Sequence, residues 1–160
     1  ALTCQFIKEK RNLVFIGNPG TGKTHLSTAV ALRALSKNFK VMFTSVSEML
    51  YQLYVSKADN TYYKKLEEYL RPDLLVLDEL GFKKFPPYAA DDFFEVISKR
   101  YEAGSLIITT NKPFEEWSTI FGDSILAGAN LDRVVHNSMI FTNKGPSYRS
   151  KTIQNKEEEN

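Results

Sequence analysis

Five short apolar runs divide the chain into segments that each have room for a helix. The runs are Leu13–Ile16, Val41–Phe43, Leu74–Leu77, Leu106–Ile108 and Met139–Phe141. They are continuous rather than alternating, a pattern typical of strands that are covered on both faces of a parallel sheet. Strands that alternate with helices predict right-handed βαβ crossovers. We therefore expect an α/β fold: a mainly parallel, five-stranded sheet with helices on both faces.

The segments between the runs predict the helices. Residues 24–36 are rich in Ala and Leu and contain neither Gly nor Pro, and residues 92–101 carry an apolar face at helical spacing. Residues 47–54 and 61–70 both look helical, which places two helices between the second and third runs. Residues 114–133 predict a broken helix, with Gly122 and Gly128 as its interruptions.

Composition narrows the class of protein. The chain has 160 residues, enough for one domain, and 21 basic against 19 acidic residues leave a formal net charge of +2. That balance excludes a histone-like or polybasic mode of DNA binding. A single cysteine, Cys4, excludes an internal disulfide framework and predicts a reducing, cytoplasmic setting. No apolar run approaches the roughly 20 residues of a membrane-spanning helix, so no membrane partner is expected.

Composition along the chain also predicts the domain boundaries. We expect one domain over residues 1–152 and a polar, disordered tail over residues 153–160. No signal peptide is visible. The chain has no initiator Met and begins only about a dozen residues before its first apolar run, so we also expect that a segment precedes it.

One stretch matches the phosphate-loop pattern G-x-x-x-x-G-K-[ST] completely. It follows the first apolar run and opens the first long helix, as such a loop must. Its backbone N–H groups and the helix N-terminus would hold phosphate oxygens, Lys23 would reach the β- and γ-phosphates, and Thr24 would ligate Mg²⁺. The alternative is an ordinary Gly-rich turn between a strand and a helix. The candidate nucleotide-binding residues are Gly17, Asn18, Pro19, Gly20, Thr21, Gly22, Lys23, Thr24 and His25.

Polar residues end two further runs. Leu74–Leu77 delivers Asp78 and Glu79 to the carboxyl end of a strand, the edge where open α/β sheets bind ligands. Asp78 would hold Mg²⁺, and Glu79 would orient and deprotonate a water molecule, a task that a small-metabolite kinase does not need. Asn111 follows the fourth run and would hold that water from the other side if the two strands are neighbours. By itself Asn111 also suits a turn before Pro113.

These three elements resemble the Walker A, Walker B and sensor 1 motifs of AAA+ ATPases. Longer stretches closely resemble the IstB family, the ATP-binding helpers of insertion-sequence transposition, which are sisters of the DnaC and DnaI helicase loaders. The resemblance covers about residues 8–152, and the Trp-x₃-Phe-Gly-Asp pattern at 117–123 favours IstB over DnaC. The matching stretches are 78–82, 111–117, 121–123, 131–136 and 145–151.

The resemblance implies a P-loop NTPase with an AAA+, RecA-like core that uses ATP and Mg²⁺ and hydrolyses ATP. Too few residues follow Arg133 to build a full helical lid domain, so a minimal or absent lid is expected. The family places an arginine finger at Arg133, which would reach the γ-phosphate bound by a neighbouring subunit of an oligomer. Arg149 would correspond to sensor 2. A guanidinium suits the charge that builds up on γ-oxygens.

The resemblance also implies partners. An extra helix after the second strand, in this family, helps to grip DNA backbone, and the two helical segments at 47–70 match it. No helix-turn-helix, zinc-finger or RRM pattern is present, so sequence-specific reading of bases is not expected. A transposase is the implied protein partner, with a replicative helicase as the alternative. The candidate DNA contacts are Lys57, Lys64, Lys65, Lys83 and Lys84.

Two other classes remain open. A small P-loop kinase would need an acceptor-binding lid, and Glu79 and Asn111 argue against it. A nucleotide-gated module without turnover would not need the complete set of Lys23, Thr24, Asp78 and Glu79. The two histidines, His25 and His136, have no second ligand at metal spacing, so the sequence does not predict a zinc site.

Overall fold

The computed structural model describes residues 3–86, 88–121 and 125–145, with the side chains of residues 125–127 left aside. Their strands form one sheet in the order β2-β3-β4-β1-β5, in which every pairing is parallel. The predicted five-stranded parallel sheet is therefore confirmed. Its strands are β1 (Asn12–Gly17), β2 (Val41–Ser45), β3 (Leu74–Leu80), β4 (Ser105–Thr110) and β5 (Ser138–Asn143).

Four helices lie within about four residues of their predicted bounds, and a short helix before the first strand, residues 5–8, was not predicted. Two helices separate β2 from β3, as predicted, and residues 114–121 form a 3₁₀ turn, Phe114–Glu116, followed by a short helix. Gly128 was expected to interrupt a helix, and that prediction is wrong because Gly128 lies inside the last one. Gly122, Arg149 and the predicted tail lie outside the described residues. The helices are α1 (Gln5–Lys8), α2 (Lys23–Ser36), α3 (Val46–Ala58), α4 (Tyr62–Leu70), α5 (Ala89–Arg100), α6 (Trp117–Phe121) and α7 (Ile125–His136).

Side chains of β1 alternate between two apolar cores. Leu13 and Phe15 pack on the face that α1 and α2 cover, and Val14 and Ile16 pack on the face that α3 to α7 cover. All four side chains are buried, which explains why the run reads as continuous in the sequence. The sheet is therefore held from both sides, and the loops at its carboxyl edge start from a rigid base.

A buried tryptophan fixes the chain where it leaves β4. Trp117 is fully buried, and its indole N–H donates to the carbonyl of Lys112 at 2.8 Å. Replacing an indole of this burial with a methyl group costs about 3–5 kcal/mol. The anchor holds the segment that follows β4 close to the carboxyl edge of the sheet.

The start of α3 is set by a helix cap at the end of β2. The hydroxyl of Ser45 accepts the N–H of Glu48 at 3.1 Å, the contact expected of an N-cap serine three residues before a glutamate. The cap turns the chain out of the edge strand and lays α3 beside the loop that follows β3.

Candidate functional site

The predicted phosphate loop connects β1 to α2 near the centre of the carboxyl edge. Gly22 has φ +85°, a left-handed conformation that favours glycine. Gly17 is required for a different reason, because a Cβ there would lie 2.8 Å from the carbonyl oxygen of Asn143 in β5. The hydroxyl of Thr21 donates to the carbonyl of Asn18 at 2.8 Å and closes the loop on itself. The loop is thus folded tightly enough to present its backbone.

The first turn of α2 presents backbone donors. The first helical hydrogen bond runs from the N–H of Leu26 to the carbonyl of Gly22, at 2.9 Å. The N–H groups of Lys23, Thr24 and His25 precede it, so they have no acceptor within the helix. No side chain caps this end. A helix N-terminus with unused N–H groups and the positive end of the helix dipole is suited to an anion such as phosphate.

Lys23 lies at the centre of the loop. Its Nζ donates to the carbonyls of Gly17 at 2.8 Å and Asn18 at 2.9 Å. Burial lowers the pKa of Lys23 from its ordinary value, and the charge of Asp78 acts in the opposite direction. The ammonium group is therefore held inside the loop, facing the end of β3.

Thr24 and Asp78 meet across the cleft. The Thr24 hydroxyl donates to the two carboxylate oxygens of Asp78, at 3.1 and 3.2 Å, and the Asp78 side chain is buried. A hydroxyl next to a carboxylate fits Mg²⁺, which prefers oxygen ligands and is completed by water and substrate phosphates. Among the described residues no three His, Cys, Asp or Glu side chains form a metal cluster.

Glu79 is turned away from the strand by a β-bulge. The register of β3 against β4 shifts between Leu77 and Leu80, and Glu79 has φ +63°, rare for a residue with a side chain. Bulges of this kind re-aim side chains next to functional sites. Glu79 is exposed and lines the same 610 Å³ cleft as Lys23, Thr24 and Asp78. The sequence placed Glu79 at this edge, and the bulge explains how it leaves the core.

Thr109 is a site residue that the sequence reasoning missed. It is buried in β4, donates its hydroxyl to the Asp78 carboxylate, and accepts the N–H of Glu79 at 2.9 Å. The polar residues that end the fourth apolar run were the available signal, but only Asn111 was predicted from them. Thr110 instead donates to the carbonyl of Leu80 at 2.7 Å, a contact within the sheet.

The predicted role of Asn111 requires that the strand before it lies next to the strand that carries Asp78, and this is the case. Strand β4 lies between β3 and β1, so Asn111 follows the strand next to the one that carries Asp78. It is exposed and lines a narrower part of the cleft with Pro19, Lys23 and Glu79. The structure therefore brings together Asn111, Glu79 and the phosphate loop.

Arg133 lies at the opposite end of the sheet. The N–H of Asn137 donates to the Arg133 carbonyl, and the Asn137 carbonyl accepts the N–H of Asn12, where β1 begins. The guanidinium lies 5.9 Å from the ring centroid of Tyr101, which follows α5. The six residues of β1 span about 20 Å. Arg133 therefore cannot reach a phosphate held by the loop of its own chain.

The predicted DNA-contacting lysines differ in their surroundings. Lys57 forms an ion pair with the buried carboxylate of Asp92 at 2.8 Å, and Lys65 pairs with Glu68 at 3.0 Å. Their charges already serve contacts within the chain. Lys64, Lys83 and Lys84 are exposed.

Comparison with known proteins decides the family. The model of the IstB-like ATP-binding protein family matches residues 1–156. The chain belongs to this family. It is 41% identical over 157 residues to a protein of insertion sequence IS5376 from Geobacillus stearothermophilus that is named for ATP binding. It is 36% identical over 146 residues to the corresponding IS21 protein of Pseudomonas aeruginosa.

The chain is shorter than these relatives. The match to the IS5376 protein takes in 98% of this chain but 62% of that protein, and the match to the IS21 protein takes in 91% and 55%. The chain therefore spans less than two thirds of the length of these relatives.

Solved structures show the same fold. The DnaC helicase loader superposes with a TM-score of 0.73 over 86% of this chain and 81% of its own, at 22% identity. DnaI gives a TM-score of 0.74 over 91% and 80%, also at 22% identity. A replication initiator DnaA bound to AMPPCP and single-stranded DNA gives 0.72 over 99% and 50%, at 21% identity. The predicted α/β fold is confirmed, and it resembles that of the P-loop AAA+ domains of DnaC and DnaA. Among the described residues, no helix combines the length and apolar character that a membrane span requires.

Proposed function

We propose that this chain binds ATP with Mg²⁺ and hydrolyses it to ADP and phosphate. The observation that carries the proposal is the meeting of Thr24 and Asp78 at 3.1 Å, at the donor-rich end of α2, with the exposed Glu79 beside them. Phosphate binding, metal binding and a base for water are then close together in one cleft, as hydrolysis of a nucleoside triphosphate requires.

Each residue has a task in this reaction. The N–H groups at the start of α2 and the Lys23 ammonium hold the β- and γ-phosphates. Thr24 and Asp78 would hold Mg²⁺, which neutralises charge on the phosphate oxygens when bound. Glu79 orients the attacking water and takes its proton, and Asn111 holds the water from the β4 side. The guanidinium of Arg133 stabilises the γ-phosphate of a neighbouring subunit, and Arg149 serves as a second cationic contact.

A phosphoryl-transfer role as a small kinase is less favoured. A kinase must shield its γ-phosphate from water, whereas Glu79 is exposed in an open cleft and suited to activating water. Phosphate release in buffer that contains ATP and Mg²⁺ but no acceptor distinguishes the two, because a kinase would release little.

We further propose that the chain assembles on DNA and serves transposition by recruiting or activating a transposase. Support comes from the relatives, which are named as proteins of insertion sequences. The second candidate is loading of a replicative helicase, which the similarity in fold to DnaC and DnaI favours. Co-purification with a transposase of the IS21 type or with a hexameric helicase separates the two roles. The cytoplasmic setting stays a prediction.

Phosphate release and nucleotide binding by three chains test the hydrolysis proposal. We expect Lys23→Ala to lose ATP binding. We expect Glu79→Gln to bind ATP but to hydrolyse it at least ~100-fold more slowly than the wild type, the lower end of the effect of losing a general base. EDTA should stop turnover, because the charge on the γ-phosphate is then not neutralised.

Matched control variants distinguish the loss of a site residue from general effects of substitution on the protein. Lys40→Ala and Glu102→Gln change exposed residues outside the cleft and should leave hydrolysis unchanged. Equal turnover by the wild type and Glu79→Gln would refute the role of Glu79. A wild-type chain that binds no adenine nucleotide in Mg²⁺ buffer would refute the whole proposal.

A further inference from the structure

A second depression lies on the other side of Glu79. It has a volume of 430 Å³ and runs between α3, the loop that follows β3, and the start of α5. We call it the aromatic groove. The residues that line it include Tyr51, Tyr54, Phe82, Lys83, Lys84 and Tyr88.

The aromatic side chains of the groove are unusually exposed. Phe82 is 67% exposed and Tyr51 60%, while Tyr54 and Tyr88 are both close to half exposed. Single apolar side chains on a surface are ordinary, but four aromatic rings around one depression indicate a binding surface. The rings of Tyr54 and Tyr88 already stack, with centroids 4.7 Å apart and planes 27° apart. The groove therefore offers flat faces rather than a rounded apolar pocket.

The charges at the groove are basic. Lys83 and Lys84 are exposed at its edge, and in the described part of the chain neither forms an ion pair. Glu79 is the acidic residue among those that line it, and its carboxylate also lines the nucleotide cleft. Flat rings flanked by ammonium groups suit a ligand that has both flat faces and negative charge.

Single-stranded DNA has both properties. Its unpaired bases stack on aromatic side chains, while its phosphates pair with lysine, and each stacked base contributes about 1–3 kcal/mol. In a duplex the bases are already stacked on one another, so only the phosphates would be available to this surface. An apolar peptide could cover the rings but would leave the two ammonium groups without a counter-charge.

We propose that the aromatic groove binds unpaired bases of single-stranded DNA, with Lys83 and Lys84 holding the adjacent phosphates. The inference rests on the proposed association with DNA, for which Lys83 and Lys84 were already expected to contact the backbone, and adds to it the aromatic rings and the form of DNA. It differs from the backbone-only contact expected from the sequence, since the rings would contact bases. The stacking is tolerant of base identity, because every base has a flat face.

Fluorescence anisotropy with a labelled 12-nucleotide oligo(dT) and the full chain tests the proposal. We expect Tyr51→Ala and Phe82→Ala each to weaken binding about 10-fold, which corresponds to about 1.4 kcal/mol. Tyr51→Phe keeps the ring and should bind as the wild type does. Tyr63→Ala removes an exposed tyrosine of α4 that is not among the groove residues, and it should also bind normally.

Two further measurements distinguish contacts with the bases from contacts with the phosphates. An abasic 12-mer keeps the charge but lacks the bases, so it loses the contacts with both rings, should bind about 100-fold more weakly than oligo(dT) and should be insensitive to Phe82→Ala. Replacing Lys83 and Lys84 with Ala should weaken both strands and make the dependence of affinity on salt shallower, because fewer counterions are released. Equal affinity of the wild type for the abasic strand and for oligo(dT) would overturn the stacking proposal.

The outcomes separate this inference from the proposed function. If the wild type binds duplex DNA while Tyr51→Ala and Phe82→Ala bind oligo(dT) normally, the groove proposal fails and the association with DNA stands. If the wild type hydrolyses ATP but binds neither single-stranded nor duplex DNA, both fail. If the same two variants lose a transposase in co-purification and keep their oligo(dT) affinity, the groove belongs to a protein partner and the proposal is overturned. Thermal melts of each variant confirm that the chain is folded.

Discussion

The hydroxyl of Thr109 contacts both acidic residues at the end of β3. It donates to the carboxylate of Asp78 and accepts the backbone N–H of Glu79 at 2.9 Å. One side chain of β4 thereby ties the expected magnesium ligand to the bulge that presents the expected base. Thr109 is almost fully buried and its hydroxyl is engaged in these two contacts, so we assign it the role of a positioning residue.

We expect Thr109→Val to slow ATP hydrolysis about 10- to 100-fold, the usual effect of removing a contact that orients a metal ligand. The substitution keeps the volume but leaves the N–H of Glu79 without its acceptor. The measurement is steady-state phosphate release together with ATP affinity, which should change much less than the rate, because the phosphate loop is untouched.

Two matched variants test whether Thr109 acts through the hydrogen bonds of its hydroxyl. Thr109→Ser keeps the hydroxyl and should retain most of the rate. Thr28→Val alters an exposed threonine of α2 and should have no effect. A Thr109→Ser chain as slow as Thr109→Val would assign the loss to packing rather than to the hydrogen bonds.

The location of Arg133 predicts hydrolysis across subunits. Because Arg133 and the phosphate loop lie at opposite ends of β1, Arg133→Ala and Lys23→Ala damage different partners of one shared site. Each variant alone should be inactive, and an equal mixture should partly recover turnover where an intact loop meets an intact arginine. Phosphate release by mixtures measures this, with size-exclusion chromatography to show co-assembly. Mixtures that co-assemble without any recovery would contradict a role in trans.

Lys57 is predicted to stabilise the fold rather than to bind DNA. Its ammonium lies 2.8 Å from Asp92, a carboxylate that is 4% exposed and also accepts the hydroxyl of Tyr62. Removing the cation leaves a buried charge short of a partner, so Lys57→Ala should cost about 1–2 kcal/mol of unfolding free energy in urea titrations.

Two controls accompany the Lys57 prediction. Adding Asp92→Asn to Lys57→Ala should recover part of the loss, because the buried charge is removed. Lys65→Ala breaks a surface pair with Glu68 and should cost less than about 0.5 kcal/mol. Unchanged stability of Lys57→Ala together with weaker DNA binding would show instead that Lys57 serves DNA.

Tyr69 predicts a loss of stability in alkali. Burial, followed by the charges of Glu68 and Glu48, raises the pKa of Tyr69 from 10.0 to about 12. A raised pKa means that the folded chain keeps a proton that the unfolded chain has lost. The contribution is complete below pH 10 and disappears as the pH rises towards 12.

Urea titrations at several pH values between 8 and 11.5 measure this effect. Between pH 10 and 12 the unfolding free energy of the wild type should fall more steeply than that of Tyr69→Phe, by up to about 1.4 kcal/mol per pH unit. Tyr63→Phe, at a residue that is 76% exposed, should follow the wild type. Identical slopes for all three chains would contradict the assignment.

Residues close together in the sequence determined much of this protein. The apolar runs predicted the five strands because strands buried on both faces must be continuously apolar. The phosphate loop was recognisable because its glycines, Lys23 and Thr24 act through one local turn of backbone. Asp78, Glu79 and Asn111 were found at the correct edge because parallel strands end on the same side of a sheet.

The tertiary structure alone decided how those residues are arranged. The contact of Thr109 with Asp78, the distance of Arg133 from its own phosphate loop, and the partner of Lys57 join segments that lie far apart in the sequence. These contacts depend on strand order, on a one-residue shift of register between β3 and β4, and on helix packing. A hydrophobic pattern does not encode any of these. Gly128 shows the same limit, because a helix can retain a glycine when its other residues pack well.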